Sequence, residues 1–326
     1  MFHLKSYGVD GCQLAWLRNV LSQRTLATRV GSSLSSELEL ISSVIQGSGI
    51  GPLLFVSYIN ELAAVLGRCN VIVKLFADDL KMYAEMKTAI DADMFQYALD
   101  RLASWAAEWQ LEISITKCFI MQIGKVPVDR TFFLNGQALP YSTACKDLGV
   151  TINSKFNLTP SSHIASITVT ANQRVNLIYR SFISRDVHLL VRAFTTYVRP
   201  ILEYNSVAWS PYYKSDIACI EKVQRRFTKL LPNFKSLTYG QRLNSVDLPT
   251  LELRRLHADL VMCYKLIFGL VKLSFDDFFS FNPVTVTRGH PYKLFLNHSY
   301  GIRKHFLLSV LLHHGIVCLL TLTLVP

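Results

Sequence analysis

Two aspartates sit side by side in the stretch VKLFADDLKMY, residues 73–83. Val71, Val73 and Leu75 precede them and Leu80, Met82 and Tyr83 follow, so the flanks read as strands that enter a core. Adjacent carboxylates repel unless a positive charge lies between them. A divalent cation meets that need. Mg2+ takes hard oxygen ligands and usually keeps waters and substrate phosphates as the rest of its shell. Two such ions ~3.5–4 Å apart hold both the attacking and the leaving oxygen of a phosphoryl displacement. The pattern predicts a tight β-turn-β whose strands are locked in the core while Asp78 and Asp79 are offered at a sheet edge. An Asp pair also suits a plain solvent-exposed turn. The neighbours favour chemistry. Gln46-Gly47, Gly49 and Gly51-Pro52 lie upstream, where glycine lets a backbone approach a nucleotide closely. Lys117 lies downstream on a predicted strand, where a lysine can meet a phosphate as a point charge.

The elements that must position these residues follow from periodicity. Leu14, Leu17 and Leu21 recur at helical spacing after Gly11, and TLATRV with LELIS, across a serine-rich turn, predicts a hairpin. The glycine-punctuated QGSGIGPLLF runs into an apolar helix that ends near Leu66. Residues 91–110 give the clearest helix, with Phe95, Leu99, Leu102, Trp105 and Trp109 on one face. Asp91 and Asp93 at its start are expected to act as cap and dipole partners. LEISITKCFIMQIG is expected to be one strand, FFLNGQAL a hairpin about its Asn-Gly, and CKDLGVTIN another short strand. From about residue 160 the pattern turns helical.

The chain has 326 residues, half of them hydrophobic and 17% charged, so it can bury a sizeable core. Its net charge of +11 favours polyanionic partners, nucleic acid first. Residues 174–235 hold 11 Lys or Arg against 4 Asp or Glu, which is +7 of that +11. Within them IACIEKVQRRFTKLL is amphipathic: Ile220, Val223, Phe227 and Leu230 form one face, and Lys222, Arg225, Arg226 and Lys229 another. Such a face is either merely solvated or tracks phosphates. The seven cysteines, at 12, 69, 118, 145, 219, 263 and 318, show no metal spacing and fit free thiols in a reducing compartment, cytoplasm or nucleus. Residues 306–326 contain no Lys, Arg, Asp or Glu, a run long enough to span a bilayer, although His313 and His314 lie in its middle.

Taken together, SSVIQGSGIGPLLFVSYINEL, VKLFADDLKMY, WAAEWQLEISITKC, CKDLGVTIN, YVRPILEYNSVAWSP, IEKVQRRFTKLL and LPTLELRRLHADLVMCYKLIFGL resemble, in that order, the reverse transcriptase of non-LTR (LINE-type) retrotransposons. The resemblance covers roughly residues 4–305. It implies an α+β, right-hand polymerase fold with fingers, palm and thumb, and RNA-directed DNA synthesis from an RNA template, a DNA primer and deoxynucleoside triphosphates. Asp78 and Asp79 would then bind Mg2+, or Mn2+. Phe76 and Ala77 would complete the FADD turn, and Gln46 and Gly47 would lie near the incoming nucleotide and template. Lys117 would assist the pyrophosphate leaving group. Asp147, Leu148 and Gly149 would grip the primer end. Lys222, Arg225, Arg226 and Lys229 would track the nucleic-acid backbone.

The pattern also breaks. The family carries a further palm carboxylate in a strand just before the LKSYGVDG segment, and Met1 stands only three residues before Leu4. The expectation is therefore a palm truncated at its N-terminal side, impaired in catalysis, without the endonuclease domain of the parent element. Ser43 stands where the family commonly has glycine. After RKHF the family continues with a basic, tryptophan-bearing stretch, so the charge-free run is read as the product of a reading-frame slip in preference to a membrane anchor. The expected divisions are 1–130 partial fingers and palm, 131–159 hairpins including the primer grip, 160–305 basic helical thumb and following region, and 306–326 aberrant tail. Two alternatives remain beside the polymerase: a nucleic-acid-binding remnant without catalysis, and a tail-anchored membrane protein.

Overall fold

The computed structural model describes residues 2–40, 47–124, 130–154, 160–277, 280–281, 294–295 and 319–325. They fall into two compact units, Met1–Ser142 with Ile316–Pro326, and Thr143–Gly315.

The first unit begins with helices α1 (Phe2–Ser6) and α2 (Gly11–Leu21). Two nested antiparallel ladders follow, β1 (Thr25–Leu26) with β4 (Leu38–Glu39) around β2 (Arg29–Val30) with β3 (Ser33–Leu34). This is the hairpin the sequence predicts. Next come α3 (Gly51–Gly67), β5 (Ile72–Phe76), β6 (Asp79–Tyr83), α4 (Ala89–Glu108), β7 (Glu112–Ile113), β8 (Phe119–Met121), β9 (Phe133–Leu134) and β10 (Gln137–Ala138). The unit is held by one apolar cluster. Ile59, Leu62 and Leu66 enter it from α3, Phe95, Leu99 and Leu102 from α4, and Leu80 and Met82 from β6.

The helix expected over 91–110 starts two residues earlier, because Thr88 is its cap. The Asp91 amide donates to the Thr88 hydroxyl at 3.3 Å, and the Asp91 carboxylate accepts from the Thr88 amide at 2.7 Å. This reciprocal box satisfies amides that have no partner inside the helix. Asp93 is not part of the cap; it pairs with Arg130. The strand expected over 111–124 is broken in two. A 3-10 turn at Ile115–Lys117 separates β7 from β8, closed by the Lys117 amide donating to the Ser114 carbonyl at 3.0 Å. Buried Cys118 adds a contact from its Sγ to the same carbonyl at 3.2 Å, so two groups compete there with a sheet ladder. Around Asn135-Gly136 the expected hairpin forms, both residues having positive φ.

The second unit opens with β11 (Ala144–Asp147) and β12 (Val150–Asn153), so CKDLGVTIN is a hairpin and not the single strand expected. Helices follow: α5 (Ser161–Ser181), α6 (Val187–Tyr197), α7 (Arg199–Glu203), α8 (Ser206–Trp209), α9 (Lys214–Lys229), α10 (Tyr239–Ser245) and α11 (Leu251–Ile267). Their core includes Val175, Leu202 and Trp209, with Phe194 and Phe227 stacked at 4.3 Å. Ile220, Val223 and Phe227 of α9 are buried as their spacing predicts. Leu230 is not; α9 ends before it, and Leu231 enters the core instead.

Beyond α11 lies a short ladder of β13 (Ser280–Phe281) and β14 (Leu294–Phe295). The last strand, β15 (Leu319–Val325), joins the first unit. Its backbone pairs antiparallel with β6 on one side and with β8 and β7 in tandem on the other. The sheet order is β5-β6-β15-β7, with β8 also on β15. Part of the expected tail is thus a strand, consistent with the period-two alternation of LLTLTLV. Residues 306–318 lie outside the described residues. Among the described residues no helix is long and apolar enough to cross a membrane.

Candidate active site

The hairpin β5–β6 shows why two carboxylates lie inside a core-like stretch. Phe76 pairs with Asp79, Leu75 with Leu80, Lys74 with Lys81 and Val73 with Met82. Side chains alternate across a strand. Leu80 and Met82 are fully buried, and Val73 and Leu75 pack on the same cluster. The alternation therefore assigns Asp79 and Lys81, with Phe76 and Lys74 opposite them, to the other face. Phe76 is 63% exposed there. Ala77 and Asp78 form the two-residue connection, and both aspartates are half-buried. Ala77 has φ +50°, a left-handed conformation that a residue with a Cβ seldom adopts. Lys81 is only 6% exposed, unusual for an ammonium, and directly faces Lys74. The acids are thus carried on a hairpin whose opposite face is fixed in the core and whose own face also bears two cations.

Lys117 belongs to the same sheet, on the 3-10 turn and not on a strand. Register places it. Thr321 pairs with both Lys81 and Phe119, Thr323 pairs with Asp79, and Leu324 pairs with Ile113. The turn between Ile113 and Phe119 is therefore level with Asp79, two strand spacings across, or roughly 10 Å. Lys117 is exposed. Gln46 and Ser43 lie outside the described residues. Gly47 is exposed with φ +83°, in the loop that leads into α3. The Gly51 amide closes that loop on the Ser48 hydroxyl at 3.0 Å.

The remaining candidates lie in the second unit. Asp147 ends β11, and Leu148 and Gly149 form a two-residue turn with φ +42° and +88°. Both signs are those of a type I′ hairpin turn, although leucine is an uncommon occupant. Tyr204 donates its hydroxyl hydrogen to the Leu148 carbonyl at 3.1 Å. His163 accepts the Thr151 amide hydrogen on Nδ1 at 3.3 Å. No spacing signal pointed to either residue. On α9 the four basic candidates are all exposed, but they are not alike. Arg226 donates to the side-chain oxygens of Asn172 and Asn176 on α5, each at 2.8 Å. Arg225 lies over the Tyr239 ring at 4.8 Å. Lys222 and Lys229 stand out from the same helix.

Two adjacent carboxylates suit a hard divalent cation that draws its other oxygens from water and substrate phosphates. Among the described residues no group of three or more His, Cys, Asp or Glu gathers to hold a metal without such help. The strand beside Asp79, LLTLTLV, brings no carboxylate.

Residues 2–152 match the family model described as reverse transcriptase (RNA-dependent DNA polymerase). The chain is 27% identical over 227 residues to a probable RNA-directed DNA polymerase from transposon X-element of Drosophila melanogaster, covering 66% of this chain. It is 25% identical over 267 residues, 77% of this chain, to the probable RNA-directed DNA polymerase from transposon BS of the same fly. It is 29% identical over 161 residues, 46% of this chain, to the RNA-directed DNA polymerase from mobile element jockey. The chain spans 24%, 28% and 17% of the lengths of these three relatives. No solved structure matches it.

Proposed function

Because residues 2–152 belong to the reverse transcriptase family, in the form found in non-LTR retrotransposons, we propose that this chain carries the nucleotidyl-transfer centre of RNA-templated DNA synthesis at its Ala77–Asp79 turn. The observation that carries the reading is the hairpin itself: Leu80 and Met82 anchor it in the core, and the paired acids stand at its turn. In this reaction the 3′ oxygen of a DNA primer forms a bond to the α-phosphorus of a deoxynucleoside triphosphate. The bond to the pyrophosphate oxygen breaks, and the hydroxyl proton passes to solvent. Asp78 and Asp79 would hold Mg2+, or Mn2+, whose charge stabilises the attacking and leaving oxygens. Lys117, level with Asp79, would offset the charge of departing pyrophosphate. Gln46 and Gly47 would border the nucleotide and template. Asp147, Leu148 and Gly149 would meet the primer end, within a right-hand arrangement of fingers, palm and thumb.

Primer extension on an RNA template, with Mg2+ and Asp78→Ala as the comparison, tests this. Extension is expected to fall at least a hundredfold in the variant, the scale of losing a metal that stabilises both oxygens. Mn2+ titration followed by electron paramagnetic resonance provides a readout without turnover. Unchanged extension and unchanged Mn2+ binding in Asp78→Ala would remove the site. A second reading, a binder of primer–template without turnover, draws on the +7 surplus of residues 174–235. Salt-sensitive binding without Asp78-dependent extension would favour it.

A further inference from the structure

The β11–β12 turn is an unstable shape on its own. Leu148 is held at φ +42°, where a side chain crowds its own backbone, and a two-stranded hairpin has little intrinsic stability. Something outside the turn must hold it, and Tyr204 is in place to do so. Its hydroxyl donates to the Leu148 carbonyl at 3.1 Å. Its ring lies so close to the next residue that a Cβ on Gly149 would come within 3.0 Å of Cε1. Glycine is therefore required at 149 twice over, by φ +88° and by the ring.

Tyr204 is itself fixed from behind. It follows α7, and its amide donates to the Pro200 carbonyl at 2.9 Å. Its own carbonyl accepts from Trp209 Nε1 at 2.8 Å, and Trp209 is buried. The other strand of the hairpin is tied to the same tryptophan. His163, which accepts the Thr151 amide, sets its ring edge-on to Trp209 with centroids 5.1 Å apart. One buried indole thus supports both grips on the hairpin. Tyr204 remains 58% exposed, so burying its ring is not its main contribution.

We infer that Tyr204 is a positioning residue: together with Trp209 it clamps the Leu148–Gly149 turn in one conformation and so fixes how Asp147–Gly149 are presented. The consequence for primer binding rests on the function proposed above; the clamp does not. Rigid presentation lowers the ordering cost of grasping a primer end, so loosening the turn weakens selection of a recessed 3′ end.

The test uses the full chain and the variants Tyr204→Phe, Tyr204→Ala and Gly149→Ala, and hydrogen exchange is the first measurement. Tyr204→Phe should speed exchange in 144–153 roughly fivefold, the worth of one hydrogen bond. Tyr204→Ala and Gly149→Ala should speed it more, while exchange in α5 and α9 stays as it was. The second measurement is fluorescence anisotropy with a recessed-3′ RNA–DNA primer–template and a blunt duplex of equal length. Tyr204→Ala should lose the preference for the recessed end, and Tyr204→Phe should retain part of it. Unchanged exchange in Tyr204→Ala overturns the clamp. Faster exchange with an unchanged end preference leaves the clamp standing and overturns the assignment of the turn to primer ends. Should Tyr204→Ala fail to fold, Tyr204→Phe carries both measurements.

Discussion

At the residue scale, adjacent side chains of the same type do different things because the backbone aims them differently. Asp78 occupies the turn and Asp79 the first paired position of β6, so only Asp79 is held by the sheet ladder. His163 is a case where environment fixes protonation. It is buried, and its Nδ1 must be without a proton to accept from the Thr151 amide. Burial, and after it the ammonium of Lys146, hold its pKa below the usual value of 6.5. The unfolded chain binds this proton more readily, so the contribution of His163 to stability is complete above about pH 6.5 and is lost as pH falls from there through the lower folded value. Urea melts at pH 7.5 and pH 5 should show this loss. His163→Gln, which can still accept but cannot titrate, should flatten it.

At the element scale, the helices of the second unit are joined by a buried polar knot. Glu221 of α9 accepts from the Tyr239 hydroxyl of α10 and, at 3.0 Å, from the Leu251 amide of α11. Its charge also lies near Arg255, which is buried and whose guanidinium is depressed by desolvation and sustained by Glu221, Glu252, Asp259 and Glu203. Glu221→Ala should cost about 2 kcal/mol in urea unfolding, because it removes two hydrogen bonds and leaves the buried Leu251 amide without its acceptor. Glu221→Gln should cost less. Elements differed in how far the sequence disclosed them. The α4 stripe and the Asn135-Gly136 turn were legible because their signals are local. Ala77 and Leu148 occupy turns that such signals assign to glycine or asparagine, and Lys117 sits where Ser114 and Cys118 interrupt a strand pattern. The aspartate pair could be read as a candidate site from its neighbours. Tyr204 and His163 could not, since their partners are far along the chain.

For the whole molecule, the basic side chains of α9 divide between exposed cations and internal support. Lys222 and Lys229 are exposed, whereas Arg226 is committed to Asn172 and Asn176. The double change Lys222→Ala, Lys229→Ala should flatten the dependence of log affinity on log salt by about 1.8 for a duplex, one phosphate per lysine. Arg226→Ala should instead lower stability by about 1 kcal/mol, with the smaller effect on that slope. Anisotropy titrations across a salt series separate the two behaviours.

The place of β15 has a consequence in time. Asp79 and Thr323 are register partners 244 positions apart, and the whole second unit is encoded between them. A chain emerging from the ribosome has α3, α4 and both aspartates long before the strand that joins β6 to β7 and β8. The second unit can fold first, from contacts made within it. The acids would wait on an open sheet edge until residues 319–325 arrive, and closing that gap is the slow kind of step that distant strand pairing imposes. Translation speed from residue 84 to residue 319 would thus set how long that edge stays open to other strands.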